Sequence, residues 1–130
     1  MTDQKTFDLQ ERLIDFAVRV IKLAEALPNT SAGQHICGQI LRSGTAPAPN
    51  YGEAQAAESR TDFIHKVKIA LKELRETEVW LKIIMRCEMI KPVLKLEPLL
   101  KETDELISIL FTSITTAKRN DAKLKMRTPS

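Results

Sequence analysis

Few residues of this chain could perform catalysis. It has two histidines, His35 and His65, and two cysteines, Cys37 and Cys87. A catalytic nucleophile needs a base beside it, and the histidines fall on different predicted helices with no Ser or Cys partner that the sequence can establish. The cysteines lie fifty residues apart in no CxxC or Cys/His cluster. The sequence therefore indicates neither a zinc site nor a redox pair, and it favours reduced, buried thiols.

A carboxylate-bound metal pair is the more specific catalytic alternative, because four-helix bundles bind iron through Glu-x-x-His pairs on facing helices. Glu73, Glu76 and Glu78 could line one side of a helix, but no Glu is followed three residues later by His. The glycines also match neither GxxxxGK[ST] nor GxGxxG. We therefore predict a non-enzymatic protein with no metal or cofactor. A metal- or ligand-binding bundle with enzymatic activity remains the alternative.

Positive charge is concentrated at the C-terminus. Residues 118–130 carry a net charge of +4 and the other 117 residues carry −1, since the whole chain is +3. These cations could contact phosphates with salt-sensitive affinity that is indifferent to base sequence, and an inert tail is the alternative. Lysines and arginines between residues 66 and 86 alternate with glutamates, which predicts a solvated helix face with intrahelical ion pairs. The tail cations are Lys118, Arg119, Lys123, Lys125 and Arg127.

The overall composition is that of one globular domain. The chain has 130 residues, of which 43% are apolar and 28% are charged, and this length can bury a core without disulfides. No apolar run reaches the ~20 residues that cross a bilayer. The start, MTDQKTFDLQER, lacks the features of a secretory signal. We expect a cytoplasmic protein with no membrane partner.

Apolar residues recur every three or four positions in three segments, which predicts three helices. The first runs from Asp8, its cap, to Leu27 before Pro28. Another begins at the cap Ser59 and ends at residues 90–92, and the last runs from there to about Arg119.

A fourth segment, residues 31–58, contains all four glycines together with Pro47 and Pro49. Proline interrupts a helix, so we predict a kinked or split helix whose small residues mark a close helix contact. A loop between two short helices is the alternative.

These segments together predict an all-α fold. Long helices joined by short links bury their apolar stripes best side by side. We predict an antiparallel up-down four-helix bundle with a kinked second helix over residues 1–119, followed by a basic C-terminal tail over residues 120–130.

Residues 39–84 carry ordered blocks that together form a specific pattern. The blocks are Gln39 with Arg42-Ser43-Gly44-Thr45, Asn50 with Glu53-Ala54, Ser59, Asp62-Phe63, Lys66, Ala70-Leu71-Lys72-Glu73-Leu74, Glu76-Thr77 and Trp80-Leu81. With these blocks the chain resembles the bacterial four-helix bundle family named after the protein encoded by an intervening sequence in 23S ribosomal RNA genes. The likeness extends over about residues 7–117 and excludes the tail.

The resemblance implies a bundle that assembles as a ring-shaped homopentamer. One relative, the accessory variability protein of diversity-generating retroelements, binds nucleic acid and a reverse transcriptase, and no enzymatic reaction is associated with the family. RNA or DNA is therefore a candidate partner, and a purely structural homo-oligomer is the alternative. Many relatives have a single proline one residue earlier than Pro49, whereas here Pro47 and Pro49 flank Ala48.

Polar residues cluster around the small-residue segment, as expected if a subunit seam or central opening joins the second and third helices. Polar groups in an interface core must be paired, and arginine with glutamate pairs strongly. We therefore hypothesise that Arg42 and Glu53 take part in a buried network, within one subunit or between subunits. Solvated surface residues are the alternative reading. The candidates are Arg42, Asn50, Glu53, Lys66, Lys72, Glu73 and Glu76.

Overall fold

The computed structural model describes residues 8–127, and within them the chain is an all-α four-helix bundle. Helix α1 spans Leu9–Glu25, α2 spans Ser31–Thr45, α3 spans Pro47–Gln55, α4 spans Arg60–Arg86 and α5 spans Glu97–Arg127. A short 3₁₀ helix, Val93–Leu96, precedes α5. Helices α2 and α3 follow each other with one intervening residue and form the second rod of the bundle, which confirms the predicted fold class.

The contacts between α1 and the second rod run in opposite order along the two elements. Near the start of α1, the Gln10 side-chain amide donates to the carbonyl of Ala48 at 2.9 Å. Later in α1, Val20 lies against Gly44. These two contacts show that α1 and the second rod are neighbours that run in opposite directions. The up-down order of all four helices stays a prediction.

Side-chain caps set the helix starts. The Asp8 carboxylate accepts from the backbone N–H of Glu11 at 3.1 Å, and the Ser59 hydroxyl accepts from that of Asp62 at 3.0 Å. Each cap satisfies a donor that the first helical turn leaves unpaired. Both predicted caps are confirmed.

The second rod is broken at Ala46, as the prolines predict. Pro47 and Pro49 have no N–H to donate to the preceding turn, yet the chain keeps nearly helical geometry because Ala46 itself has helical dihedrals. The carbonyl of Ala46 accepts from both the backbone and the side-chain amide of Asn50, at 3.2 and 2.9 Å. The kinked-helix prediction is therefore confirmed, and the two hydrogen bonds of Asn50 stabilise the chain at the break.

The core is formed by the predicted apolar stripes. Its largest fully buried side chains come from all four rods, and on α1, α4 and α5 they match the predicted three- and four-residue spacing. They include Leu13, Phe16, Val20, Ile40, Val67, Leu74, Leu81, Ile84, Leu106 and Leu110.

Two predicted helix ends are wrong. Helix α4 ends at Arg86 rather than at residue 90, because Glu88 adopts a left-handed conformation (φ 52°) while Met89 N–H returns to the carbonyl of Ile84 at 3.1 Å. Helix α5 continues past Arg119 to Arg127. Residues 120–127 contain neither Gly nor Pro, so nothing in them stops a helix.

The two cysteines are free, but neither thiol is buried as expected. Cys37 is half-buried and Cys87 is exposed. Within residues 8–127, none of the helices combines the length and hydropathy needed to cross a membrane.

Within residues 31–58, the closest approach to another helix is at Gly44, where α2 packs against α1. A Cβ at this position would lie 2.6 Å from Val20 Cγ1 and within 3.0 Å of two further atoms of the same side chain. Val20 is fully buried and β-branched, so it has no alternative rotamer to retreat into. The predicted tight contact is confirmed at this glycine.

We expect Gly44→Ala to destabilise the protein by about 1–3 kcal/mol, because the added methyl overpacks against Val20. Gly38→Ala is the matched control: a Cβ there meets nothing within 4 Å, so the better helix propensity of alanine should stabilise by up to about 1 kcal/mol. Urea unfolding measures both. Equal effects of the two substitutions would contradict the close approach.

Candidate functional site

A network of charged and polar side chains spans the seam between α2 and α4. The guanidinium of Arg42 on α2 donates to Glu73 at 3.0 Å, to Glu76, and to Gln39 at 3.4 Å. Desolvation lowers the pKa of Arg42, but the two α4 carboxylates outweigh it and raise that pKa overall. One arginine thus fixes two carboxylates that lie three residues apart on the neighbouring helix.

The network continues along α4 to an aromatic contact. The indole N–H of Trp80 donates to Glu76 at 3.1 Å. The Trp80 ring meets His35 of α2 edge to face, with centroids 6.0 Å apart. Glu76 therefore serves both Arg42 and Trp80, and its carboxylate is held on the α2 side of α4.

Below this surface network lies a buried polar contact. The Thr77 hydroxyl is hydrogen-bonded to Ser43 Oγ at 2.9 Å and to the Glu73 carbonyl at 2.8 Å. Both hydroxyl residues are fully buried. Since a buried hydroxyl without a partner is costly, this pair fixes the register of α2 against α4 directly beneath Arg42.

Glu53 and Lys66 form a separate ion pair between α3 and α4. The Lys66 ammonium donates to Glu53 at 2.8 Å. This hydrogen bond, followed by the charge of Glu53, raises the pKa of Lys66. The pair lies on the surface, where screening limits what an ion pair contributes to stability.

The hypothesis that Arg42 and Glu53 share a buried network is wrong for the single chain. The two residues belong to different ion pairs, and their side chains are 49% and 59% exposed. The arginine–glutamate pairing does occur, but with Glu73 and Glu76. Whether a second subunit covers these groups stays a prediction.

Helix α4 presents a basic row to solvent. Five cations and one valine recur at spacings of four, three, four, three and four, so they lie on one face of the helix. All six are exposed. From first to last the row extends about 27 Å at a rise of about 1.5 Å per residue. We call it the α4 row; its members are Lys68, Lys72, Arg75, Val79, Lys82 and Arg86.

The charges of this row are not neutralised within the described chain. Among residues 8–127, every ion pair involves Arg12, Arg42, Lys66 or Lys125, and none involves a member of the α4 row. The predicted intrahelical ion pairs of this helix are therefore wrong. Glu73 and Glu76 lie on the flank that faces α2 and are bound by Arg42, while Glu78 and Glu88 form no ion pair within residues 8–127.

The α4 row adjoins the basic end of α5 at a like-charge contact. The ammonium of Lys118 lies close enough to Lys68 to lower the pKa of Lys68 by charge repulsion. The repulsion between these two cations is the main physical cause of the lowered pKa.

The remaining tail cations are exposed on the last turns of α5. Arg119, Lys123 and Arg127 follow at intervals of four and share a face. Lys125 instead pairs with Asp121 at 3.3 Å. The cations that were predicted to lie in a tail therefore lie on helix α5.

Four members of the α4 row were not among the candidate residues predicted from the sequence: Lys68, Arg75, Lys82 and Arg86. Their helical spacing was visible, and a face-by-face count of charge would have separated them from the glutamates. Of the candidates that were named, Lys72 lies in the row, whereas Asn50 is engaged at the helix break.

Within residues 8–127, no group of three or more His, Cys, Asp or Glu side chains is arranged to hold a metal ion.

Comparison with known proteins identifies a family and similar solved structures. Residues 5–112 match the family model described as 23S rRNA-intervening sequence protein. A crystal structure of a protein of unknown function from the S23 ribosomal protein family of Bacteroides thetaiotaomicron VPI-5482 is similar, with 39% identity and a TM-score of 0.75. The match covers 82% of this chain and 97% of that one. No curated protein matches this chain.

We expect Ser43→Ala to cost about 1 kcal/mol of unfolding free energy, because Thr77 loses a buried hydrogen-bond partner. Arg42→Gln should cost less, since water screens ion pairs of a half-exposed arginine. Urea denaturation of the two variants gives the comparison. A larger loss for Arg42→Gln would mean that Arg42 is buried in the assembled protein.

Proposed function

This chain belongs to the 23S rRNA-intervening sequence protein family, and we propose that it is a non-enzymatic, self-associating, cytoplasmic bundle that binds the phosphate backbone of RNA or DNA. The observation that carries the nucleic-acid part is the α4 row, a straight line of five cations without an acidic partner in the described chain. Lysine and arginine at such spacing can follow a strand of phosphates, and binding releases the counterions condensed on the nucleic acid.

The form of the row indicates the kind of binding. The row contains no Asn, Gln or aromatic side chain, and we expect its lysines and arginines to contact mainly phosphates, which position the nucleic acid without reading its sequence. Five contacted phosphates give a slope of about −3.5 in a plot of log affinity against log salt for a single strand. Lys118 extends the charged surface onto α5 beside Lys68.

Arg42 supports this surface indirectly. By binding Glu73 and Glu76 it keeps two negative charges paired on the α2 side of the helix. Released carboxylates on α4 would lower the positive potential along the row, because they lie within one helical turn of it. We propose Arg42 as a positioning residue for the row.

Self-association has its own candidate surface. Helix α1 exposes a row of apolar side chains, Ile14, Val18 and Ile21, at spacings of four and three. Contiguous exposed apolar side chains favour association. In the described part of the bundle α1 contacts α2, α3 and α5 but not α4. An interface on α1 therefore leaves the α4 row free, and we propose the ring of five for this assembly.

We expect Lys72→Gln/Lys82→Gln to weaken binding to a single-stranded RNA and to reduce the salt slope by about 1.4, because two phosphate contacts are lost at about 0.7 each. Fluorescence anisotropy across a salt series measures both quantities. Lys22→Gln/Lys101→Gln removes the same charge from other helices and should leave the slope unchanged.

If the two double variants lose equal affinity, the binding reflects total charge and the α4 row is not the site. If the wild-type chain binds no RNA or DNA at low salt but still assembles, the protein is the purely structural homo-oligomer.

We expect Val18→Glu to dissociate the assembly into chains of 14.7 kDa, because the substitution places a charge in the centre of the α1 apolar row. Leu94→Glu, at an exposed apolar position outside α1, is the control and should leave the mass unchanged. Light scattering gives the masses. A wild-type mass equal to one chain would refute the self-association proposal.

A further inference from the structure

A pocket lies between the C-terminal half of α1 and the segment that joins α4 to α5. Its volume is about 290 Å³, close to the lower limit of about 300 Å³ for small-molecule sites. Apolar side chains form its floor: Leu96 and Leu99 belong to the buried core, and Leu23 and Ile90 are half-buried. The bundle therefore has a preformed apolar depression that can accept the nonpolar part of a small ligand.

Every charged residue in the lining of this pocket is a cation. Arg19 and Lys22 contribute from α1, and Lys95 contributes from the 3₁₀ helix on the other side. All three are exposed, and within residues 8–127 none of them takes part in an ion pair. Glu25 of α1 and Glu97 of α5 are exposed and lie outside the lining. Positive charge from two elements thus converges on the pocket without an acidic residue in its wall.

The apolar floor and the cationic rim together select the chemistry of a ligand. Long Lys and Arg side chains lay their aliphatic stems along apolar surface and keep their charged heads at the solvent. A ligand that fits both parts carries its negative charge at the pocket mouth and a nonpolar body on the floor. The small volume favours a short body.

We infer that this pocket binds a small amphipathic organic anion of the alkyl carboxylate class, with its carboxylate among the three cations and its alkyl chain on the apolar floor. The inference goes beyond the proposed function and is independent of it. No member of the α4 row lines the pocket, and neither do Ile14, Val18 and Ile21 of the proposed interface.

The test uses isothermal titration calorimetry of the full chain with octanoate, octanol, hexanoate and acetate. We expect one octanoate site per chain and no measurable binding of acetate, which lacks the apolar body. Octanol should bind at least about threefold more weakly than octanoate, because it carries no charge for the cations. Hexanoate should bind about five- to fifteenfold more weakly, since each buried methylene contributes about fourfold.

Two double variants locate the site. Lys22→Gln/Lys95→Gln should weaken octanoate binding by about three- to tenfold and leave octanol binding unchanged, because only the charge attraction is removed. Lys72→Gln/Lys82→Gln removes the same charge from the α4 row and should leave octanoate binding unchanged. Both pairs of lysines are exposed, so thermal unfolding without ligand should give similar midpoints for both variants and the wild type.

Three results would overturn the inference. Equal affinity for octanoate and octanol would show that the cations do not recognise the carboxylate. Equal losses in the two double variants would mean that octanoate responds to the total charge of the chain. Several weak octanoate sites per chain would indicate adsorption to exposed apolar surface. None of these results bears on RNA binding by the α4 row, which the salt series tests separately.

Discussion

The pairing of Arg42 with two glutamates of α4 determines how charge is distributed over this bundle. Glu73 and Glu76 are drawn toward α2 and bound there, while the cations on the opposite flank of the same helix keep no acidic partner within residues 8–127. A helix with mixed charge in its sequence thereby has one nearly neutral flank and one strongly basic face. We propose that this basic face is the surface that binds an anionic partner.

This pairing depends in turn on packing below it. Arg42, Ser43 and Gly44 are consecutive residues with three different tasks: an ion pair at the surface, a buried hydrogen bond to Thr77, and a backbone approach that leaves no room for a Cβ beside Val20. The hydroxyl pair fixes the register of α2 against α4, and the glycine fixes the distance of α2 from α1. A shift of α2 against α4 would move Glu73 and Glu76 out of the reach of Arg42.

Periodicity and local chemistry predicted much of the fold. The inward faces, the caps at Asp8 and Ser59 and the break near the prolines follow from apolar spacing, side-chain acceptors and missing donors, all of which are local. The ends of α4 and α5 were not predicted. The first depends on a left-handed Glu88, and the second on the absence of any residue that would stop the helix.

The candidate site was harder to predict from the sequence than the fold, because it depends on which residue each charged side chain pairs with. From the sequence, Glu73 and Glu76 could form ion pairs either with lysines of their own helix or with Arg42 of another helix. Which of these pairs form depends on how the helices pack. The pairing of Glu53 with Lys66 rather than Arg42 and the exposure of the α4 row have the same origin.

The most direct measurement is lysine acetylation of the assembled protein with and without a single-stranded RNA, read residue by residue by mass spectrometry. The account predicts that RNA protects Lys68, Lys72 and Lys82 on the face of α4, whereas Lys22 and Lys101 react equally in both samples. Protection of Lys22 and Lys101 with unchanged reactivity along α4 would contradict it.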